Sequence, residues 1–485
     1  MSQYPRSASR WLGVAILLAG CAVGPDFERP DAPSVERYTP EALPAATPAA
    51  GGAAQHFLAS RDIPGEWWQL FHSAPLNALI DEALKANPTV TAAEAALRQA
   101  HELTLAGAGA FFPVVQAGFN ASRSKTTATL SPATASGALY YSLYSPQLTV
   151  SYVPDVFGGT RRLVEALAAQ EENQRFQLEA AYLTLTANVV AAVVTEASLR
   201  GQIAATEEII DIQRQSLAIL RRQLGLGQVA GADVAAQEAA LAQAEAALPP
   251  LRNQLAQQRH LLAVLIGRLP SEPPNAAFDL ASLHLPEELP VSLPSRLVEQ
   301  RPDIRAAEAQ LHAASAQVGV AIANMLPQIS LSATAGSSAL TIGSLFGSGT
   351  AFWTVAANAA QTVFDAGTLL HKKRAAEAAF DQAAAQYKEA VLTGFQNVAD
   401  ALQAVQTDAD ALVAATAAER AAATSLEIAR RQLATGAVNY LALLSAENTY
   451  QAALNTLVQA QAARFAGTAV LFQALGGGWW NRGSL

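Results

Sequence analysis

One cysteine, two methionines and a charged fraction of only 15% in 485 residues set limits before any pattern is sought. A lone Cys21 cannot make an internal disulfide and offers no thiolate cluster to a metal. The seven histidines stand at 56, 72, 101, 260, 284, 312 and 371, and no two fall at the short helical spacing of a ligand pair. Neither a phosphate-binding loop nor a dinucleotide fingerprint occurs, so an enzyme here would lack a convergent acid, base, nucleophile or metal group. Beyond Gly20 no run of about 18 uncharged apolar residues is found, so a bilayer would be crossed by strands rather than by a helix. The excess of acids, 40 Asp and Glu against 31 Lys and Arg, argues against a nucleic-acid partner.

What is present begins with an export pattern. Arg6 and Arg10 precede the apolar stretch Trp11 to Leu18, which runs into Ala19 and Gly20, so residues 1–20 read as a lipoprotein signal peptide. Leu18-Ala19-Gly20-Cys21 resembles a bacterial lipobox, which implies S-diacylglycerol and N-palmitoyl groups on Cys21 after cleavage. A solitary cysteine is more often a buried structural residue, but its place directly after the apolar stretch favours lipidation. Ala22, not Asp, follows it, which resembles the pattern of lipoproteins sent to an outer membrane. Residues 21–60, rich in Pro, Ala and Gly, are expected to form a lipidated, extended N-terminal arm.

The chain contains one design twice. Asn87-Pro88 opens a helical pattern and Arg301-Pro302 opens another, with Glu94, Leu97 and Ala100 each 214 residues before Glu308, Leu311 and Ala314. Arg222-Gln223-Leu224, Gly227 and Glu238 stand 209 residues before Arg431-Gln432-Leu433, Gly436 and Glu447. The first repeat is placed at 61–268, a Pro-rich linker at 269–294, the second repeat at 295–475 and a tail at 476–485.

Each repeat holds two strictly alternating segments, within hairpins expected at 114–154 and 328–362. Val115, Ala117, Phe119 and Ala121 interleave with Gln116, Gly118, Asn120 and Ser122; Leu148, Val150 and Tyr152 interleave with Gln147, Thr149 and Ser151. Ile329, Leu331, Ala333 and Ala335, then Trp353, Val355, Ala357 and Ala359, repeat the pattern in the second half. Period two means strands with one apolar and one polar face. One such strand alone reads as half-buried soluble sheet, whereas four at matching places in an exported chain point to a membrane wall. Polar stretches 122–145 and 336–350 are the expected loops. Four strands cannot enclose a pore, since a closed barrel takes about eight, so several copies must share one.

The remainder reads as helical hairpins at 160–268 and 368–475. Residues 160–226 and 368–435 would each be a rod of about 100 Å. Ile203, Ile210, Leu217 and Leu224 recur every seventh residue, as do Leu241, Leu248, Leu255, Leu262 and Leu269, a coiled-coil seam that returns antiparallel. Such stripes are usually packing. Pro249-Pro250 should break or bend the return helix.

Together these residues resemble the outer-membrane efflux proteins, TolC-like, in the lipoprotein branch that serves resistance-nodulation-division (RND) pumps. The pieces that carry the resemblance are Cys21-Ala22-Val23-Gly24-Pro25-Asp26-Phe27 with Pro30; Trp67-Trp68 with Phe71, Leu76 and Leu79; Leu293-Pro294-Ser295 with Arg301-Pro302-Asp303-Ile304; and Ala474-Leu475-Gly476-Gly477-Gly478-Trp479. The resemblance implies an α+β, mainly α, fold in which a homotrimer pools four strands per chain into a twelve-stranded barrel, continued by a periplasmic helical barrel. It implies an outer-membrane location, a periplasmic adaptor and an inner-membrane transporter as partners, and a passive duct as the function. It places the periplasmic tip at the two helical turns, where Arg222, Leu226, Gly227, Asp233, Val234, Arg431, Gly436, Asn439 and Tyr440 would meet the adaptor. Just after the second turn, where some relatives carry an acid, stands Ser445. That leaves open an apolar ring from Leu441 or an acidic one with Glu447 nearby. A periplasmic adaptor and a structural coiled-coil lipoprotein are the competing readings, but an adaptor carries one helical hairpin, not two with strand pairs before each.

Overall fold

The computed structural model describes residues 22–49, 54–59, 61–127 and 139–483. The signal segment, Cys21 and the end of the first strand hairpin lie outside the described residues. In chain order the strands are β1 His56–Ala59, β2 Val114–Lys125, β3 Tyr140–Tyr152, β4 Glu288–Val291, β5 Gln328–Ser337 and β6 Ala351–Ala360. The α-helices are α1 Ala74–Ala86, α2 Pro88–Ala108, α3 Gly159–Gly225, α4 Gly231–Leu265, α5 Pro294–Gln300, α6 Pro302–Ala323, α7 Thr368–Ala434 and α8 Tyr440–Ala474. The chain divides into two compact units that draw on both repeats. One comprises 1–29, 97–173 and 307–387, the other 30–96, 174–306 and 388–485.

The first unit holds the four-stranded antiparallel sheet, ordered β2-β3-β5-β6. Its register turns the alternation of each strand into two continuous faces. Val115 pairs with Val150, Val150 with Ala333 and Ala333 with Val355, an apolar row across all four strands. The next row runs Gln116, Thr149, Thr334, Thr354, with the Thr149 and Thr334 hydroxyls 3.3 Å apart. β2 and β3 continue their ladder past Ser122 to the Lys125–Tyr140 pair, so strand occupies part of the expected loop. The Lys125 ammonium lies over the Tyr140 ring at 5.2 Å and closes that end.

The same unit fixes the start of the N-terminal arm. Val23 N–H donates to the Phe157 carbonyl at 3.1 Å. A Cβ on Gly158 would sit 2.5 Å from the Ala22 Cα, and one on Gly24 only 2.4 Å from the Gly319 Cα, so glycine is required at both. The Arg162 guanidinium bonds the Val23 carbonyl at 3.2 Å and the Asp26 carboxylate at 2.6 Å, while Phe27 stacks on His312 at 4.3 Å.

The second unit is centred on Trp67, Phe71, Phe278, Leu289, Leu297 and Phe472, all buried. A short parallel pair, β1 with β4, joins the arm to the linker, and the Tyr38 hydroxyl adds a bond to the Ser292 carbonyl at 3.0 Å. Arg301 grips Asp303 with two bonds and donates to the Ala474 carbonyl at the end of α8, 2.8 Å away. Pro302 opens α6, where a missing N–H costs nothing. Gly476, Gly477 and Gly478 all have positive φ and turn the chain so that Trp479 Nε1 reaches the Gln300 carbonyl.

Helix α4 runs through Pro249 and Pro250 without interruption, so of the expected break or bend the break is absent. The two carbonyls deprived of a donor belong to Glu245 and Ala246, both exposed and so open to solvent. The seam is buried at Ile210, Leu217 and Leu262 but fades at Leu224, exposed near the end of α3, and at Leu269, exposed beyond the end of α4. Helix α3 also contains a stretch long and apolar enough, by length and composition alone, to cross a membrane, half of it buried in the protein.

Candidate functional site

The two helical turns close in the same way. At the end of α3, Gly227 has φ +72°, its N–H donates to the Leu224 carbonyl, and Gln228 N–H donates to Gln223. At the end of α7, Gly436 has φ +74°, with Gly436 bonded to Leu433 and Ala437 to Gln432. Each is a Schellman closure, which needs a left-handed residue one position past the helix. The repeated Arg-Gln-Leu contributes backbone carbonyls to this closure. Arg222 and Arg431 project outward, Arg431 pairing with Glu427.

The return helices start on caps supplied by two of the expected tip residues. The Asp233 carboxylate accepts from Ala230 N–H at 3.1 Å, and the Asn439 side-chain oxygen accepts from Ala442 N–H at 3.1 Å. Leu226, Gly227, Gly436 and Asn439 are exposed with Arg222 and Arg431. Val234 and Tyr440, expected at the partner-contact tip, are buried within the chain. They pack with Leu217, Leu220, Leu426, Ala429, Leu443 and Ala446 in one core made by α3, α4, α7 and α8. The two turns are thus a single packed unit rather than two free hairpins.

Sequence position alone put Glu447 near a constriction, but the structure places it inside this core at 0% exposure. Ser216 Oγ donates to its Oε1 at 2.6 Å, and Oε2 receives no hydrogen bond among the described residues. Burial pushes its carboxyl above the usual glutamate range, against the opposing pull of Ser216, Arg430 and Gln237. Gln237 Nε2 in turn bonds the Gln213 carbonyl at 2.9 Å. Glu447 therefore forms no ring on any surface. Its repeat counterpart Glu238 is an ordinary surface residue, paired with Arg221 at 2.8 Å. Leu441, 58% exposed, and Ser445 instead share an open face of α8 with Asn448, Thr449 and Ala452. The buried polar group of Gln213, Ser216 and Gln237 was not singled out from sequence, because Gln213 and Ser216 stand among Asp211, Arg214 and Gln215 between the seam positions and nothing marks them as the buried ones.

A two-faced strand ribbon joined to paired helical hairpins, built twice into one chain, is the plan of a TolC-like outer-membrane channel. The solved outer-membrane channel OprN matches this fold with a TM-score of 0.84 at 28% identity, over 95% of this chain and 100% of that one. The outer-membrane channel MtrE of Neisseria gonorrhoeae, solved in its open state, matches with a TM-score of 0.81 at 27% identity, over 95% and 99%. The sequence pattern of the outer membrane efflux protein family fits residues 79–268 and 293–477, and the chain belongs to that family. A similar relative is the toluene efflux pump outer membrane protein TtgC of Pseudomonas putida, 29% identical over 476 residues, covering 96% of this chain and 95% of the relative. The protein is an outer-membrane channel component of an efflux pump.

Proposed function

We propose that three copies of this chain close one twelve-stranded barrel and act as a passive, non-catalytic export duct. The open sheet carries the reading. Its apolar rows, with Trp353 at 77% and Val355 at 72% exposure, suit lipid, and its polar rows suit a water-filled interior. β2 and β6 lie at the edges of this sheet, and bare edges are not tolerated in hydrocarbon, so neighbouring copies supply the missing ladders. The adaptor and structural-lipoprotein alternatives have no use for such a ribbon.

In this reading Cys21 carries S-diacylglycerol and N-palmitoyl groups and tethers the arm to the outer membrane. The exposed tip residues Arg222, Leu226, Gly227, Arg431, Gly436 and Asn439 meet a periplasmic adaptor, which links the duct to an inner-membrane RND transporter. Drugs or other small toxic compounds pass through, and the transporter selects them. Leu441, on the open face of α8, narrows the tip.

The test is the oligomeric mass of the purified full-length protein, followed by single-channel recording in planar bilayers. A conducting trimer is expected. A monomer that stays soluble without detergent and carries no current would end the proposal. Mass spectrometry of the N-terminal peptide checks the tether: it should begin at Cys21 with three acyl chains, and an unmodified thiol would refute that part alone.

A further inference from the structure

The second unit contains a cavity of about 770 Å³, away from the four-stranded sheet and from the helical turns. Its walls are apolar, from Leu280, Leu285, Leu412 and Phe465. Its rim carries two imidazoles, His72 and His284, in edge-to-face contact at 6.2 Å. They are brought together because His284 N–H donates to the Phe71 carbonyl at 3.0 Å. His72 itself is held at φ +49°, a strained left-handed position for a residue with a side chain.

Arg464 on α8 also lines this cavity and is 3% exposed. Nη2 is the only nitrogen of its guanidinium with a hydrogen-bond partner among the described residues, donating to Thr47 Oγ1 at 3.1 Å and Gln55 Oε1 at 3.2 Å. Both partners are neutral, and Nε is buried with none. Asp408 is the one acid whose charge acts on Arg464, yet the two form no ion pair. A desolvated, unpaired guanidinium costs several kcal/mol on general grounds, and a bound anion offsets that cost. Two carboxylates stand at the exposed rim, where Glu288 is occupied by Arg61.

We infer that this cavity is a binding site for a small organic anion with an apolar body, its carboxylate meeting Arg464 and its hydrocarbon lying against the leucine and phenylalanine walls. The volume falls in the range of small-molecule sites, which combine apolar lining with a few placed polar groups. A charge-assisted bond to Arg464 gives the head group its specificity.

Equilibrium dialysis of radiolabelled decanoate against the full-length channel in lipid nanodiscs tests this, with empty nanodiscs as background and decanol as the neutral comparison. One saturable decanoate site per chain is expected, with decanol weaker by about tenfold or more, the size of a hydrogen bond to a charged group. Arg464→Met should abolish the preference for the acid. Because that change also frees Thr47 and Gln55 and can loosen the fold, Ala281→Trp provides an independent arm. It adds bulk to the cavity lining from an exposed position and should remove saturable binding without altering conductance. Equal binding of decanol and decanoate, no saturable site, or full binding to Ala281→Trp would each overturn the inference.

Discussion

Glu238 and Glu447 occupy matching places in the two repeats and have opposite fates, one exposed and paired with Arg221, the other enclosed beside Ser216. The pH consequence follows from the sign of the shift. A carboxyl whose value is raised by folding carries no penalty below the ordinary glutamate range, about 4.3. It destabilises increasingly as pH climbs through the raised folded value. Glu447→Gln keeps the acceptor for Ser216 and removes the charge, so it should raise the melting temperature at pH 8 and leave it unchanged at pH 4. Equal shifts at both pH values would show that charge is not the issue. At Leu441 the expected effect is on current: Leu441→Ala should raise single-channel conductance and antibiotic permeability of the isolated channel. Unchanged values would mean that Leu441 narrows nothing. The burial of Glu447 was not legible in the sequence, because it depends on Ser216, 231 residues away.

At the scale of elements, the strand faces and helical rods were readable because periodicity is a local property. Val115, Gln116 and their neighbours announce which side faces which solvent before any partner strand is known. The parallel pairing of β1 with β4 was not readable, since four-residue strands carry no period and their partners lie 232 residues apart. Pro249-Pro250 did not end the helix, because the two carbonyls that lose a donor, those of Glu245 and Ala246, are exposed and open to water. For the sheet, Val355→Arg should destabilise the barrel by about 2 to 4 kcal/mol, while Thr354→Arg, one residue away on the other face, should mainly alter conductance. Urea unfolding in lipid vesicles separates the two, and equal costs would contradict the assigned faces. For the turns, Gly436→Ala meets open space and keeps only the left-handed backbone strain, about 1 to 2 kcal/mol. The expected readout is faster proteolysis confined to the tip.

On the scale of the whole molecule, the duplication is visible in sequence, yet the folded units do not coincide with the copies. Each unit takes segments from both repeats, so neither half of the chain contains a complete unit. Either half of the chain, cut in the linker at 269–294, should therefore fail to fold alone, and a cooperative melting transition from one of the halves would disprove this. The arm is threaded through this plan at two tight places, Gly24 against Gly319 and Gly158 against Ala22. Gly158 has φ +77° and faces Ala22 at a distance that admits no side chain. Gly158→Val should thus release the arm, seen as new protease cleavage near Val23 with the strands intact. On the lipidation proposed for Cys21, the residue before Ala22, the lipid would have no length of rope to pay out. It would act as a waterline mark, fixing how deep the vessel rides by holding the leaflet surface level with the point where β3 gives way to α3.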